Sequence, residues 1–417
     1  MKNGHPISGA TIGAGRRRTS VAIAGAVGAL LVLVTACGGG DPGGSDGKGD
    51  GKGGTTKGDT VGNTTSRAVV TVAPQDGATA VATRGALRIT AAGGRLTTVT
   101  VQNDKSGAAV EGRIAADGAS WQPARHLASG TAYRVRAVAK DADGRETVRA
   151  SRFTTLVPKK TFIGEYTPED KSTVGVGMPV SLRFSRGITD PAAVEKAITV
   201  TAAPAVPIEG HWFGNDRLDF RPEKYWAAGT KVTVKLDLDG VEGRPGVYGK
   251  QAKTVTFTVG RSQISTVDAK SKRMKVVRDG RQIKDIAITA GAAATPTYNG
   301  QMVISEKYKV TRMNGATVGF GGEYDIEDVP HAMRLSQSGT FIHGNYWAPS
   351  AFGNANVSHG CVGLRDAQGG RGNTPGAWFY DKSLIGDVVI VKNSQDKQIA
   401  PDNGLNGWNM PWAEWIK

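Results

Sequence analysis

Cysteine is almost missing from this chain, with two in 417 residues, and histidine is scarce at six. So few thiols exclude a disulfide-dense scaffold and leave room for one bridge at most. Aromatic residues make up only 6% against 58 glycines. With recurring Thr/Val/Arg alternation, that balance favours turn-rich β modules over helical bundles. The apolar run Val21–Val34 holds about fourteen residues, short of the roughly 20 that a membrane-spanning helix needs. Acidic residues are outnumbered: 37 Asp and Glu face 52 Lys and Arg, for a formal charge of +15. That excess suits an anionic partner, whether nucleic acid, a membrane surface or an acidic wall polymer. The length allows two to four domains, each with its own core.

The N-terminus decides among those partners. Arg16, Arg17 and Arg18 precede the apolar run, which ends in Val34-Thr35-Ala36-Cys37. A charged region, a short apolar region and small residues before a cleavage point form a secretory signal. The cysteine placed just after small residues resembles a bacterial lipobox, so residues 1–36 are expected to be removed and Cys37 to carry a lipid that anchors the chain to the outer face of the membrane. Export excludes a nucleic acid partner. Residues 37–66 are Gly, Asp, Lys, Thr and Ser with hardly an apolar side chain, a flexible tether. Some thirty residues of that kind reach roughly 30 Å from an anchor.

Residues 67–157 carry period-2 strands such as Leu96–Val101 and Tyr133–Val138, separated by Gly and Asp turns, the pattern of a β-sandwich. A second copy occupies 158–260. Pro74-Gln-Asp recurs as Pro168-Glu-Asp, and Trp121-Gln-Pro as Phe220-Arg-Pro, at offsets of 94 and 99 residues. Neither copy gathers catalytic groups, and His126, His211 and Trp212 stand singly, as structural residues do. The strand pattern restarts at Ile264 and continues to Asp387–Lys392, with a helix expected around Ala377–Lys382. Between them, Met313–Ser338 looks irregular and reads as a lid or binding loop. Residues 393–417 form a tail with Trp408, Trp412 and Trp415, expected to pack back on the body.

The chemistry concentrates in Thr340–Leu364, where His343, His359 and Cys361 lie within nineteen residues. If Cys37 is lipidated, Cys361 is a lone thiol in an oxidising compartment, a candidate nucleophile. A thiol of ordinary pKa near 8.5 needs either a lowered pKa or a base beside it, and imidazole is suited to take the proton. His343 ends a strand-like segment that can hold it rigidly, so it is the preferred base. His359 shares a face with Cys361 only if Gly360 is extended. Gly360 also lets successive backbone N–H groups converge as an oxyanion site. A buried inert cysteine competes with this reading. Zinc is the weaker alternative, since His-x-Cys is not a familiar metal spacing, and neither metal nor cofactor is expected.

Ile342-His343-Gly344 followed by Ser358-His359-Gly360-Cys361-Val362 resembles the catalytic signature of the L,D-transpeptidase (YkuD-type) family, over roughly Ile264–Lys417. The resemblance implies a mainly β chain: two tandem immunoglobulin-like β-sandwiches, a β-rich catalytic domain at 261–392 with a short helix, and the Trp-rich tail. It implies that Cys361 attacks the bond between the diamino acid and D-Ala of a peptidoglycan tetrapeptide stem. The acyl group then passes to the side-chain amine of a second stem in a 3-3 cross-link. His343 is the implied base, oriented by the carbonyl of Gly344. Gly360 and Cys361, with His359, are the implied oxyanion residues, and Met313, Tyr324, Trp347 and Ser358 the substrate contacts. Carbapenems are implied as covalent inhibitors. One departure stands out: Gly363 occupies the place, two residues past the cysteine, where the family commonly has Asn. L,D-carboxypeptidase action with water as acceptor, or a decayed wall-binding lipoprotein, stay open as alternatives.

Overall fold

The computed structural model describes residues 65–319 and 321–417. The signal segment, Cys37 and most of the linker lie outside the described residues. In the first sandwich, the strands Val69–Ala73, Arg88–Ala92, Ser120–Pro123 and Gly112–Ile114 form one sheet in that order. Ala78–Val81, Glu146–Thr155, Ala132–Lys140 and Arg95–Asn103 form the other. Alternation drives the packing: in Ala132–Lys140, Tyr133, Val135 and Ala137 face inward while Arg134 and Arg136 face water. The second sandwich repeats the plan. Gly164–Thr167, Val180–Phe184, Arg217–Arg221 and Glu209–Phe213 form its first sheet, and Thr173–Val174, Ala252–Val259, Lys231–Asp237 and Ile198–Ala203 its second. The same strand order in both copies is the structural counterpart of the sequence repeat.

A small sheet of Glu242–Arg244, Val247–Gly249 and Lys160–Phe162 flanks the second sandwich, and the strands after residue 260 join in one nine-stranded sheet. Its order is Gly300–Val303, Val388–Lys392, Gln263–Asp268, Arg273–Arg278, Arg281–Thr289, Val362–Arg365, Phe341–Asn345, Asp325–Arg334 and Glu306–Asn314. The Arg278–Arg281 hairpin turns on Asp279 and Gly280, both at positive φ, as a two-residue Asp-Gly loop requires. Phe341–Asn345 and Val362–Arg365 run parallel, with His343 beside Gly363. The helix Pro375–Lys382 starts where Thr374 accepts from the Ala377 N–H and Pro375 needs no donor. It buries Phe379 in the core of this sheet, with Ile342, Val362 and Leu364.

The stretch Met313–Ser338 is not the long loop that its glycines and acids suggested. Only 315–324 lies between strands; Asp325–Arg334 is a ten-residue strand with Val329, Ala332 and Met333 fully buried. Pro330 and His331, the latter at φ +49°, interrupt the alternation that would have marked it.

The second sandwich and the catalytic sheet are welded at Gly175-Val176-Gly177. The Gly175 N–H donates to the Ile385 carbonyl at 2.7 Å and the Gly177 N–H to that of Gly386 at 2.9 Å. Val388 belongs to the sandwich core beside Val176 and Met178. The tail closes the joint. Trp408 Nε1 donates to the Gly177 carbonyl at 2.7 Å and Trp415 Nε1 to that of Glu209 at 3.0 Å. The Arg221 guanidinium lies 4.9, 5.2 and 4.2 Å from the rings of Trp408, Trp412 and Trp415. Burial holds its pKa down at about 10.

Candidate active site

The parallel pairing of Phe341–Asn345 with Val362–Arg365 delivers the two reactive residues to one place. His343 is buried at 5% exposure, and its Nδ1–H donates to the Gly344 carbonyl at 2.7 Å. A carbonyl only accepts, so the proton sits on Nδ1 and Nε2 keeps its lone pair. Cys361 immediately precedes the neighbouring strand. His343 and Cys361 line one cleft of about 410 Å³, together with Met313, Tyr324, Asn345 and Trp347. Burial lowers the His343 pKa below the ordinary imidazole value, against the Gly344 hydrogen bond and the charge of Asp366, which raise it. Burial pushes the Cys361 thiol up to about 11, opposed by the backbone N–H of Phe341. Both shifts favour the uncharged forms, a thiol and a neutral imidazole.

Gly360 is a turn, not an extended residue, at φ +109°, a conformation that L side chains avoid. The turn separates the two neighbours it joins. Cys361 packs with Val329, Ala332 and Phe341, whereas His359 leans outward, its Nε2 2.9 Å from Glu323 Oε2 and its ring 4.9 Å from that of Tyr324. Ser358 holds the turn from inside: its hydroxyl donates to the Cys361 carbonyl at 2.6 Å and accepts from the Gly360 N–H at 3.2 Å. The Gly360 N–H is thus engaged within the turn. Ser358 borders the cleft while its hydroxyl braces that turn.

Three expected contacts do line the cleft. Met313, with Ile326, packs against the apolar cluster that holds Cys361. Tyr324 stands on the far lip. Trp347, 40% exposed, stacks on the His343 ring at 5.8 Å and 16°, so it shields that imidazole from water as well as offering a flat apolar surface.

The chain matches known proteins over most of its length. Residues 262–391 match the L,D-transpeptidase catalytic domain family YkuD, and residues 78–242 match the bacterial Ig domain family, a span that runs across both sandwiches. L,D-transpeptidase 2 of Mycobacterium tuberculosis is 34% identical over 351 residues, 83% of each chain. This chain belongs to the L,D-transpeptidase family. L,D-transpeptidase 5 of the same organism is 31% identical over 356 residues, covering 83% of this chain and 76% of that one. A solved structure of the LD transpeptidase LdtMt1 in complex with imipenem is 25% identical and covers 57% of this chain and all of the other, at a TM-score of 0.47. For an L,D-transpeptidase, the missing Asn at 363 now has a structural context. A side chain there would meet Thr289 Cγ2 at 2.8 Å, and its Cβ would stand 3.5 Å from Asn345 Nδ2. The carboxamide reaches the same spot from the adjacent strand. Asn345 Oδ1 accepts from the Trp347 and Ala348 N–H groups at 3.1 and 3.0 Å, which fixes the amide plane. Sequence reading missed Asn345, although its place two residues past His343, on the same strand face, was the available signal.

Proposed function

We propose that this chain is a peptidoglycan L,D-transpeptidase in which Cys361 is the nucleophile and His343 the base. One observation carries the assignment of roles: the His343 tautomer, held by the Gly344 carbonyl, leaves Nε2 as a proton acceptor in the cleft that Cys361 lines. Cys361 Sγ loses its proton to His343 Nε2 and adds to the carbonyl carbon between the diamino acid and the terminal D-Ala of a tetrapeptide stem. The oxyanion takes the Cys361 N–H. As the tetrahedral species collapses, His343 returns the proton to the departing D-Ala nitrogen, leaving a thioester. The side-chain amine of a second stem attacks that thioester, His343 takes the proton it sheds, and the thiol is restored with a 3-3 cross-link formed. Asn345 Nδ2, facing the cleft, donates to the donor stem, and Met313, Tyr324 and Trp347 hold its apolar parts.

The export-type N-terminus and the position of Cys37 support a lipid-anchored enzyme on the outer face of the membrane, with the tether setting its reach into the wall. A carbapenem offers the same thiol a strained acyl carbonyl, so intact-mass measurement tests the nucleophile. The expected result is one stable adduct on the wild type and none on Cys361→Ala. An unmodified, folded wild type would favour a decayed wall-binding protein. With a disaccharide-tetrapeptide substrate, tripeptide without dimers would instead assign L,D-carboxypeptidase action.

A further inference from the structure

Behind the reactive pair lies a second histidine with a carboxylate, both buried and neither touching substrate space. Asp366 follows the Val362–Arg365 strand directly, and its backbone N–H donates to the Asn345 carbonyl at 3.1 Å. Its side chain turns beneath the end of the His343 strand. A Cβ on Gly344 would fall 2.1 Å from Asp366 Oδ2, and one on Gly376 2.2 Å from the same atom, so two glycines leave the space that this carboxylate fills. Oδ2 accepts from His331 Nδ1–H at 2.7 Å; Oδ1 accepts from Thr374 Oγ1 at 2.6 Å and the Ala367 N–H at 2.8 Å. His331 is 3% and Asp366 8% exposed.

His331 reaches this position at a cost. It is a non-glycine residue at φ +49°, where the ladder steps from Val310–Pro330 to Tyr308–Ala332 past it. Backbone held there is strained and persists where the surroundings impose it, often at functional sites. A buried polar pair is also a poor source of stability, because burial costs each polar group that its hydrogen bonds do not fully satisfy. We propose that the Asp366–His331 pair is a positioning unit for His343, with the Asp366 carboxylate, packed against Gly344, stabilising the imidazolium that forms when His343 takes the thiol proton.

The link is short. Gly344 touches the carboxylate and supplies the carbonyl that holds His343 Nδ1, and the charge of Asp366 raises the basicity of His343 against the effect of burial. The His331 Nδ1–H, on Oδ2, holds the carboxylate in place beneath Gly344. The other groups facing these residues are few. His343 faces Cys361 and Trp347, with Tyr324 and His359 across the cleft. His331 faces Tyr380 at 5.1 Å, and Lys307 Nζ lies 4.3 Å from the Tyr380 ring.

This inference rests on His343 as base, so the test begins with the full wild-type chain and a carbapenem. If no acylation occurs, the base reading fails and not this one alone. With acylation established, its second-order rate is followed against pH for D366N and H331N, with folding checked by thermal melting. D366N removes the charge and keeps the hydrogen-bonding shape; its rate should fall about tenfold and its acid limb should move to lower pH. H331N keeps the carboxylate and loses only the ring that braces it, so its acid limb should not move to lower pH. A structural role alone would not separate the two variants in this way. Unmoved limbs in both variants would overturn the proposal. Should D366N fail to fold, H331N carries the test, and a limb moved to lower pH would overturn it.

Discussion

Cys361 and His343 form a neutral couple, and that state has consequences which can be measured residue by residue. The thiol, pushed up to about 11 by burial, should alkylate slowly with iodoacetamide at neutral pH, with a rate that keeps climbing above pH 9. A rate already at its plateau at pH 7 would mean a standing thiolate. His343 has a lowered pKa and acts as a base only when unprotonated. Acylation should therefore hold its rate down through pH 6.5, the ordinary imidazole value, and fall only at more acid pH. His343→Ala should reduce acylation by about 10²–10⁴-fold without lowering the melting temperature to match. Asn345→Asp separates two functions, because the aspartate keeps the Oδ1 contacts to Trp347 and Ala348 and loses the Nδ2 donor. Turnover of the tetrapeptide donor should drop about tenfold, as expected for one lost hydrogen bond to substrate, with the Trp347 fluorescence unchanged. The reactive residues were legible in the sequence because a lone thiol and a nearby histidine are rare residue types. Asn345 and the His331–Asp366 pair were not, since Asn and Asp are common, His331 and Asp366 lie 35 residues apart, and only the pairing of three neighbouring strands brings these residues together.

Among the elements, the regular strands were readable by alternation, as in Ala132–Lys140, and the helix was expected at Ala377–Lys382, two residues short of its start at Pro375. The strand Asp325–Arg334 was not, because it is covered on both faces near Val329–Met333 and broken by Pro330 and His331, so no period of two survives. The Ser358–Cys361 turn is the element whose local geometry matters most. It needs Gly360 at φ +109° and the Ser358 hydroxyl on both sides of it. Gly360→Ala should leave the fold intact, because the space beside it is open to 3.7 Å. The strained φ would displace the Cys361 N–H, and acylation should fall by roughly 10²-fold or more, the cost of one oxyanion donor. Equal acylation in wild type and Gly360→Ala would remove the turn from the mechanism.

At the scale of the molecule, the second sandwich and the catalytic sheet share backbone hydrogen bonds and a core. Gly175 makes the closest approach: a Cβ there would lie 2.2 Å from the Asp387 backbone nitrogen, which cannot yield as a side chain would. Gly175→Ala should cost about 3 kcal/mol or more and lower the urea midpoint of the sandwich and the catalytic sheet together. The repeat in sequence announced two similar modules, but the joint depends on glycine contacts and on the Arg221–tryptophan packing, neither of which has a periodic signature. The excess of 15 positive charges suits an enzyme held against an anionic wall. The central claim is acyl transfer through Cys361, and the most direct measurement is mass spectrometry of the products formed from a disaccharide-tetrapeptide. The account predicts released D-Ala and 3-3 cross-linked dimers with wild type, and neither with Cys361→Ala. Dimers formed by folded Cys361→Ala, or none formed by folded wild type, would contradict it.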